Sequence, residues 1–192
     1  MKGNLFIVSG PSGVGKNTIL NRIVHEQEHV QYSISATSRA MRPGEKNGVS
    51  YYFVTKPQFE RMIADGALLE YAEYVGNYYG TPLAPIEEAT KKGIDVVMDL
   101  DVVGALNVKR KVPSAVLIFI TAPSFAELSH RLSVRGDVAP DVMKERLKRA
   151  EWECGQAGKY DYVVMNDNVD SAVNRVLEIM NTEKRKNMEP IH

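Results

Sequence analysis

The chain has 192 residues, 44% of them hydrophobic and 25% charged, which suits one globular domain or one core carrying an inserted lobe. Lys+Arg and Asp+Glu both number 24, so no global field draws nucleic acid or an anionic membrane, and any phosphate affinity has to come from local clusters. The single cysteine, Cys154, excludes an internal disulfide, the 4 histidines show no metal-ligand spacing, and no apolar run nears the ~20 residues of a membrane span.

Met1-Lys2-Gly3-Asn4 leads into the apolar run Leu5-Phe6-Ile7-Val8 without a signal-type stretch, which predicts a cytoplasmic protein in a reducing compartment. Gly10-Pro11-Ser12-Gly13-Val14-Gly15-Lys16-Asn17-Thr18 follows, and then an amphipathic run with Ile19, Leu20, Ile23 and Val24. Strand, glycine-rich loop and helix in that order are the context in which G-x-x-x-x-G-K means a phosphate-binding loop. Successive backbone N–H groups and the helix start form an anion cradle. Gly10, Gly13 and Gly15 permit close approach of the backbone, and Lys16 adds a mobile charge. The residue after the lysine, normally Ser or Thr for Mg²⁺, is Asn17, and a hydroxyl arrives only at Thr18.

The alternating run from Tyr32 to Thr37 predicts one half-buried strand. Arg39 and Arg42 precede a turn cluster, residues 43–48, and Tyr51 to Val54 form a second strand candidate. A helix opens at Lys56-Pro57 and stops at Asp65-Gly66, and two short strands, residues 68–75 and 77–81, flank a Gly76-Asn77 turn. Residues 32–81 are therefore expected to form a β-rich lobe inserted in an α/β core.

The core resumes with a helix over residues 83–92, the strand Val96-Val97-Met98 ending in Asp99-Leu100-Asp101, and a helix over residues 104–110. The strand Val116 to Ile120, a helix from Pro123-Ser124 to Arg135, and a mobile stretch to Pro140 come next. A basic helix carries Arg146, Lys148, Arg149 and Glu153. The strand Tyr162 to Met165, closed by Asn166-Asp167-Asn168, precedes a last helix whose end, residues 183–192, is charged and expected to fray. Strands separated by helices imply a parallel sheet with right-handed crossovers, and ligands bind beyond its C-terminal strand ends. The phosphate loop, Asp99/Asp101, residues 121–123 and Asn166-Asp167 all fall at such ends.

The segment from Ser35 through Arg39, Arg42 and Glu45 to Tyr51, together with Glu70, residues 76–81, Asp99-Leu100-Asp101, Arg131, Arg135-Gly136 and Asn166-Asp167, closely resembles the guanylate kinases along essentially the whole chain. The resemblance implies ATP-dependent phosphorylation of GMP to GDP with Mg²⁺. It also implies an α/β fold: a P-loop three-layer core with a parallel sheet, an inserted β-rich GMP-binding lobe and a helical lid. The core would take residues 1–31 and 82–192, with a lid near 131–150, and the lobe residues 32–81. Substrates would be ATP and GMP, with no nucleic acid or membrane partner and a homo-oligomer left open.

By this resemblance Gly10 to Thr18, Arg135, Asn166 and Asp167 bind ATP, and Ser35, Arg39, Arg42, Tyr51, Glu70, Tyr79, Thr81, Asp99 and Asp101 bind GMP. Lys16, Arg42, Arg131, Arg135 and Arg146 are the catalytic set, with Thr18 and, through water, Asp99 on the metal. The residue chemistry agrees. Two arginines three apart beside a turn can converge on one phosphate, and two phenols can donate to it. A carboxylate accepts from guanine N1–H and N–H₂ together, which adenine cannot match. Simpler alternatives stand beside each: a solvated basic turn, a solvated Glu on a strand, surface ion pairs among helix arginines, Asp99 as a helix cap, Asn166-Asp167 as a turn, and Cys154 as a packing residue.

Ala36, Asn17 and Val103 depart from the usual pattern, as does the stretch 137–140, where hydroxyl and acidic residues are common in the family. None removes a charge the mechanism needs. Two rivals follow from the same features: a related small-molecule kinase such as a ribose bisphosphate kinase, and a guanylate-kinase-like scaffold that binds phosphopeptides without ATP chemistry.

Overall fold

Apolar residues alternate along the first strand, Phe6 and Val8 with Leu5 and Ile7 between them, and this parity decides the architecture. Phe6 and Val8 enter one buried cluster, Leu5 and Ile7 another on the opposite face. A strand buried on both faces belongs in a parallel sheet covered by helices on either side. In the computed structural model, which describes residues 2–133 and 139–187, β1 (Leu5–Ser9) is the middle strand of such a sheet. Its neighbours are β7 (Asp95–Asp99) and β8 (Val116–Thr121), with β2 (Val30–Tyr32) and β9 (Tyr162–Met165) outermost, all parallel in the order β2-β7-β1-β8-β9.

The layer on the Phe6 side is built from α1 (Lys16–Glu26), α5 (Phe125–Ser133), α6 (Pro140–Cys154) and α7 (Val169–Lys186), through Ile19, Leu20, Ile23, Leu128, Leu132, Ala150, Val173 and Val176. On the Ile7 side, α3 (Leu83–Lys91) and α4 (Val102–Lys111) contribute Ile86, Ala89, Val102, Ala105 and Val108. Each of the larger side chains, Ile, Leu or Val, stabilises the fold by roughly 1.5–3 kcal/mol. The three layers are thus dictated by strand parity and helix stripes.

The second sheet has four short strands, β3 (Ala36–Thr37), β4 (Tyr52–Phe53), β5 (Leu68–Tyr74) and β6 (Asn77–Pro82), in the order β4-β3-β6-β5. The helix α2 (Lys56–Ala64) backs it, with fully buried Phe59 stacked on Tyr78 at 5.2 Å. Its N-terminus is fixed by Thr55 and Gln58, which satisfy each other's backbone N–H groups.

Three sequence expectations change. The run from Tyr32 to Thr37 is not one strand. Ser33 N–H donates to the Val97 carbonyl in the core sheet, while the Ser35 carbonyl already accepts from Tyr52 N–H in the small sheet, so the chain changes sheets at Ile34. The hairpin turn is Val75-Gly76, both at positive φ, and Asn77 already starts β6. Residues 183–186 continue α7 rather than fray, because Tyr162 and Lys186 hold Glu183; residues 188–192 lie outside the described part.

Candidate active site

At the C-terminal end of β1 the chain turns through residues 10–15, and the backbone there is held from behind. Gly10 has φ 147°, and a Cβ on it would stand 2.2 Å from the Ile120 carbonyl oxygen, so no larger residue fits. The Asn166 side chain, 4% exposed, donates from Nδ2 to the Val14 carbonyl at 2.7 Å and packs where a Gly15 Cβ would be. Lys16, first residue of α1, folds back and donates from Nζ to the Gly10 carbonyl at 2.7 Å. Its ammonium lies 4.0 Å from the Asp99 carboxylate at the end of β7.

Ser12, Gly13, Gly15, Lys16, Asn17, Thr18 and Asp99 line a polar cradle of about 160 Å³. Both Asn17 and Thr18 reach it, so the cradle has an amide and a hydroxyl beside the carboxylate. Burial raises the Asp99 carboxyl to about 6 against the pull of Lys16, with Asp101 adding to the rise. Tyr32 is at the end of β2, and burial followed by the Asp99 charge, with Tyr51 adding, pushes its hydroxyl up to about 12.

There, Arg39 packs over the rings of Tyr51 and Phe53, its guanidinium carbon 5.5 and 5.7 Å from their centroids. Tyr51 meets Tyr79 edge-on at 6.2 Å. Arg39 is paired bidentately with Glu45, and Arg42, exposed beside it, gives its backbone N–H to the same carboxylate. Arg39, Arg42, Tyr51 and Tyr79 thus come together around one turn.

Glu70 sits opposite Thr81 on the β5–β6 pair, next to Tyr79 on the same face. A bulge at Leu69 sets this. One extra residue sends Leu68 to the small-sheet core and Leu69 to the main core, and turns Glu70 to the open face. Thr81, buried, donates to Glu70 Oε1 at 2.6 Å. Burial raises the Glu70 carboxyl and Asp101 adds to it, with Thr81 and Lys111 opposing. Asp101, not Asp99, caps a helix: its Oδ1 accepts from Gly104 N–H at 2.8 Å. Its Oδ2 pairs with Arg149 at 3.3 Å. Ser35 is half-buried, and its side chain makes no hydrogen bond with the described residues.

The helix arginines divide. Arg131 is fixed, donating to Glu127 at 2.8 Å and to the Asn166 carbonyl at 3.1 Å. Arg146 is exposed on α6 and unpaired among the described residues; Arg135 lies outside them. Asp167 is exposed and accepts from Asn168 N–H, as a turn residue does, while Asn168 caps α7. Cys154 packs on the core, and burial pushes its thiol up, away from reactivity.

Three contributors, Glu45, Tyr32 and Arg149, carry no role in the sequence analysis, and Asn166, expected on ATP, has a bracing role the sequence does not announce. Glu45 stands three residues after Arg42 inside a turn, a spacing that could have marked it as the turn's acceptor. Tyr32, Arg149 and the buried amide of Asn166 act across 48 residues or more or between sheets, and nothing local announces them. A groove of about 440 Å³ lined by Leu5, Leu69, Leu83 and Ile86 lies at the opposite end of the main sheet and shares no residue with the site. Among the described residues no helix is long and apolar enough to cross a membrane, and no cluster of His, Cys, Asp and Glu has the makings of a metal centre.

Compared with known proteins, residues 2–183 match the family described as guanylate kinase. The chain is 50% identical over 186 residues to a guanylate kinase of Thermus thermophilus, covering 97% of this chain and 84% of that one. It is 49% identical over 183 residues to one from Streptococcus agalactiae, with 95% and 88% covered. Its structure superimposes on a guanylate kinase from Anaplasma phagocytophilum with a TM-score of 0.74 at 33% identity, covering 95% of this chain and 86% of that one.

Proposed function

Because the chain belongs to the guanylate kinase family, we propose that it transfers the terminal phosphoryl group of ATP to the phosphate of GMP, giving ADP and GDP, with the loop of residues 10–18 on ATP and the small sheet on GMP. One observation carries this division of labour. Glu70 and Thr81 share a face of the small sheet with Tyr79, so a carboxylate acceptor and an arginine–tyrosine cluster stand at two ends of one surface. A nucleotide with two adjacent N–H donors on its base and a phosphate at its far end matches that surface.

Phosphoryl transfer asks for in-line placement and charge stabilisation more than for covalent chemistry. The N–H groups of residues 13–18 and Lys16 would bind the ATP phosphates. Arg39, Arg42, Tyr51 and Tyr79 would fix the GMP phosphate as acceptor. Arg131, Arg135 and Arg146 would close over the transferring group and exclude water, which suppresses futile hydrolysis. Glu70, with Ser35, Thr81 and Asp101, would select guanine. Asn166 serves ATP through the loop it braces, and Asp167 stands exposed beside it.

The cradle donors suit Mg²⁺. Asp99, Thr18 and Asn17 offer hard oxygens, and this ion commonly takes one or two carboxylates plus substrate phosphates while keeping waters. When bound, it neutralises charge on the phosphate oxygens. A cytoplasmic site of action belongs to the same proposal.

A coupled assay of ADP release with ATP and each nucleoside monophosphate tests the reading. Turnover is expected with GMP well above AMP, CMP and UMP. Turnover with AMP but not GMP removes the assignment, and none with any acceptor favours a binding scaffold.

A further inference from the structure

On an open turn a long arginine side chain spreads over many rotamers, yet the Arg39 side chain is only 13% exposed and three of its five N–H groups are committed. Nη1 donates to the Ala40 carbonyl at 2.7 Å and to Glu45 Oε2 at 3.0 Å, and Nη2 donates to Glu45 Oε1 at 2.8 Å. Glu45 is itself tied down: its Oε2 accepts from Arg42 N–H at 2.7 Å, and its own N–H donates to the Arg42 carbonyl at 3.1 Å. The Tyr51 and Phe53 rings hold the guanidinium from its face. What remains is the side-on edge, Nε–H and the second Nη2–H, which Ala40 and Glu45 leave unclaimed and which is the kind of edge that takes an oxyanion bidentately, with the Tyr79 hydroxyl close to the same guanidinium.

We infer that Glu45 is the positioning residue of the acceptor-phosphate site: it grips the end-on edge of Arg39 and presents the side-on edge, already oriented, to the phosphate of GMP. This rests on Arg39 being a ligand of that phosphate. The competing idea is that Glu45 stands in for the phosphate and must be displaced. Geometry favours positioning, because Glu45 occupies a different edge from the free one and is anchored through the backbone of Arg42. Its repulsion of the phosphate acts across the guanidinium and is screened by water, whereas the ordering it provides acts at contact distance. The Arg39 hydrogen bonds, helped by Arg42 N–H, hold the Glu45 carboxyl down at about 2, so it is ionised throughout the working pH range.

The two ideas predict opposite signs in steady-state kinetics of the full chain. Glu45→Gln places an amide donor against the guanidinium and loses one arm of the fork. KM for GMP is expected to rise about tenfold, and further in Glu45→Ala, while kcat and KM for ATP stay within about twofold. An unchanged or lower KM for GMP in both variants overturns the inference. So does a fall in kcat at constant KM, or a melting temperature so low that Glu45 is a fold residue. If the wild type makes no GDP, the kinase reading fails and takes this inference with it; if the wild type is active and both variants match it, only the inference fails.

Discussion

The loop of residues 10–18 and the arginine–tyrosine cluster, each proposed to meet a phosphate, are held in place by opposite means. The loop is backbone, fixed by the fold behind it: Gly10 lies against the Ile120 carbonyl, Val14 is fully buried, and a buried Asn166 amide holds the Val14 carbonyl. The cluster is side chain, fixed by its own members: Arg39 by Glu45, Tyr51 and Phe53, beside two strands of two residues each. Its sheet is backed by three fully or nearly buried residues, Ala36, Phe59 and Leu68, whereas the loop leans on the main core. Function and stability are therefore coupled in the loop and separable in the lobe, so substitutions in the two regions should differ in kind as well as in size.

Lys16→Met is the largest test. It leaves the loop backbone in place but removes the charge proposed to act on the transferring phosphates, so kcat should fall by roughly 10²–10⁴-fold, about 3–5 kcal/mol of barrier, with KM for GMP little changed. Equal losses in both parameters in steady-state assays would mean that the lysine supports the whole site, since it also holds the Gly10 carbonyl. Gly10→Ala tests the coupling itself. At φ 147° with a Cβ 2.2 Å from a carbonyl oxygen, the fold should lose roughly 3 kcal/mol or more, together with ATP binding. A variant that melts like wild type yet fails to bind ATP would break the coupling.

In the lobe, Glu70→Gln should act without that penalty. One acceptor oxygen becomes an N–H₂ facing guanine N–H groups, so GMP kcat/KM falls by about 2–4 kcal/mol while the melting temperature moves little. Relief of a carboxylate whose pKa burial raises even favours the folded variant slightly. Kinetics indistinguishable from wild type would take Glu70 out of the base site.

How much of this was legible in the sequence follows the same divide. The loop was, because its chemistry is local: glycines, a lysine and a helix start at fixed spacing after an apolar strand. So were the core strands, whose parity is written in consecutive residues. The strand break at Ile34 was not, since Ser33 and Ser35 continue the alternation that one strand would show while bonding to different sheets. The bulge at Leu69 was equally invisible, because Leu68 and Leu69 are both apolar and only three-dimensional packing assigns them to separate cores. Asp101 rather than Asp99 caps α4, a shift of two residues that composition cannot resolve. Arg149 meets Asp101 through a contact between helices that have no sequence relation.

Asp99 gives the smallest effect and the sharpest sign. It belongs to the loop region by position, yet burial raises its carboxyl from 3.8 to about 6, so the folded protein binds that proton more tightly than the unfolded chain does. Ionised Asp99 therefore costs stability above pH 6, and the cost fades as pH falls through 6 toward 3.8. Asp99→Asn removes it. The ligand-free variant should be more stable than wild type by about 1–3 kcal/mol at pH 7.5, with a gain that shrinks at pH 5 in paired thermal melts, while turnover drops for want of the carboxylate. Lys16 does not reverse the sign, because its ammonium keeps the Gly10 carbonyl as partner. A variant less stable than wild type at pH 7.5 would make Asp99 a structural anchor like Asn166; a more stable one makes it the point in the loop region where charge is kept for chemistry at the expense of the fold.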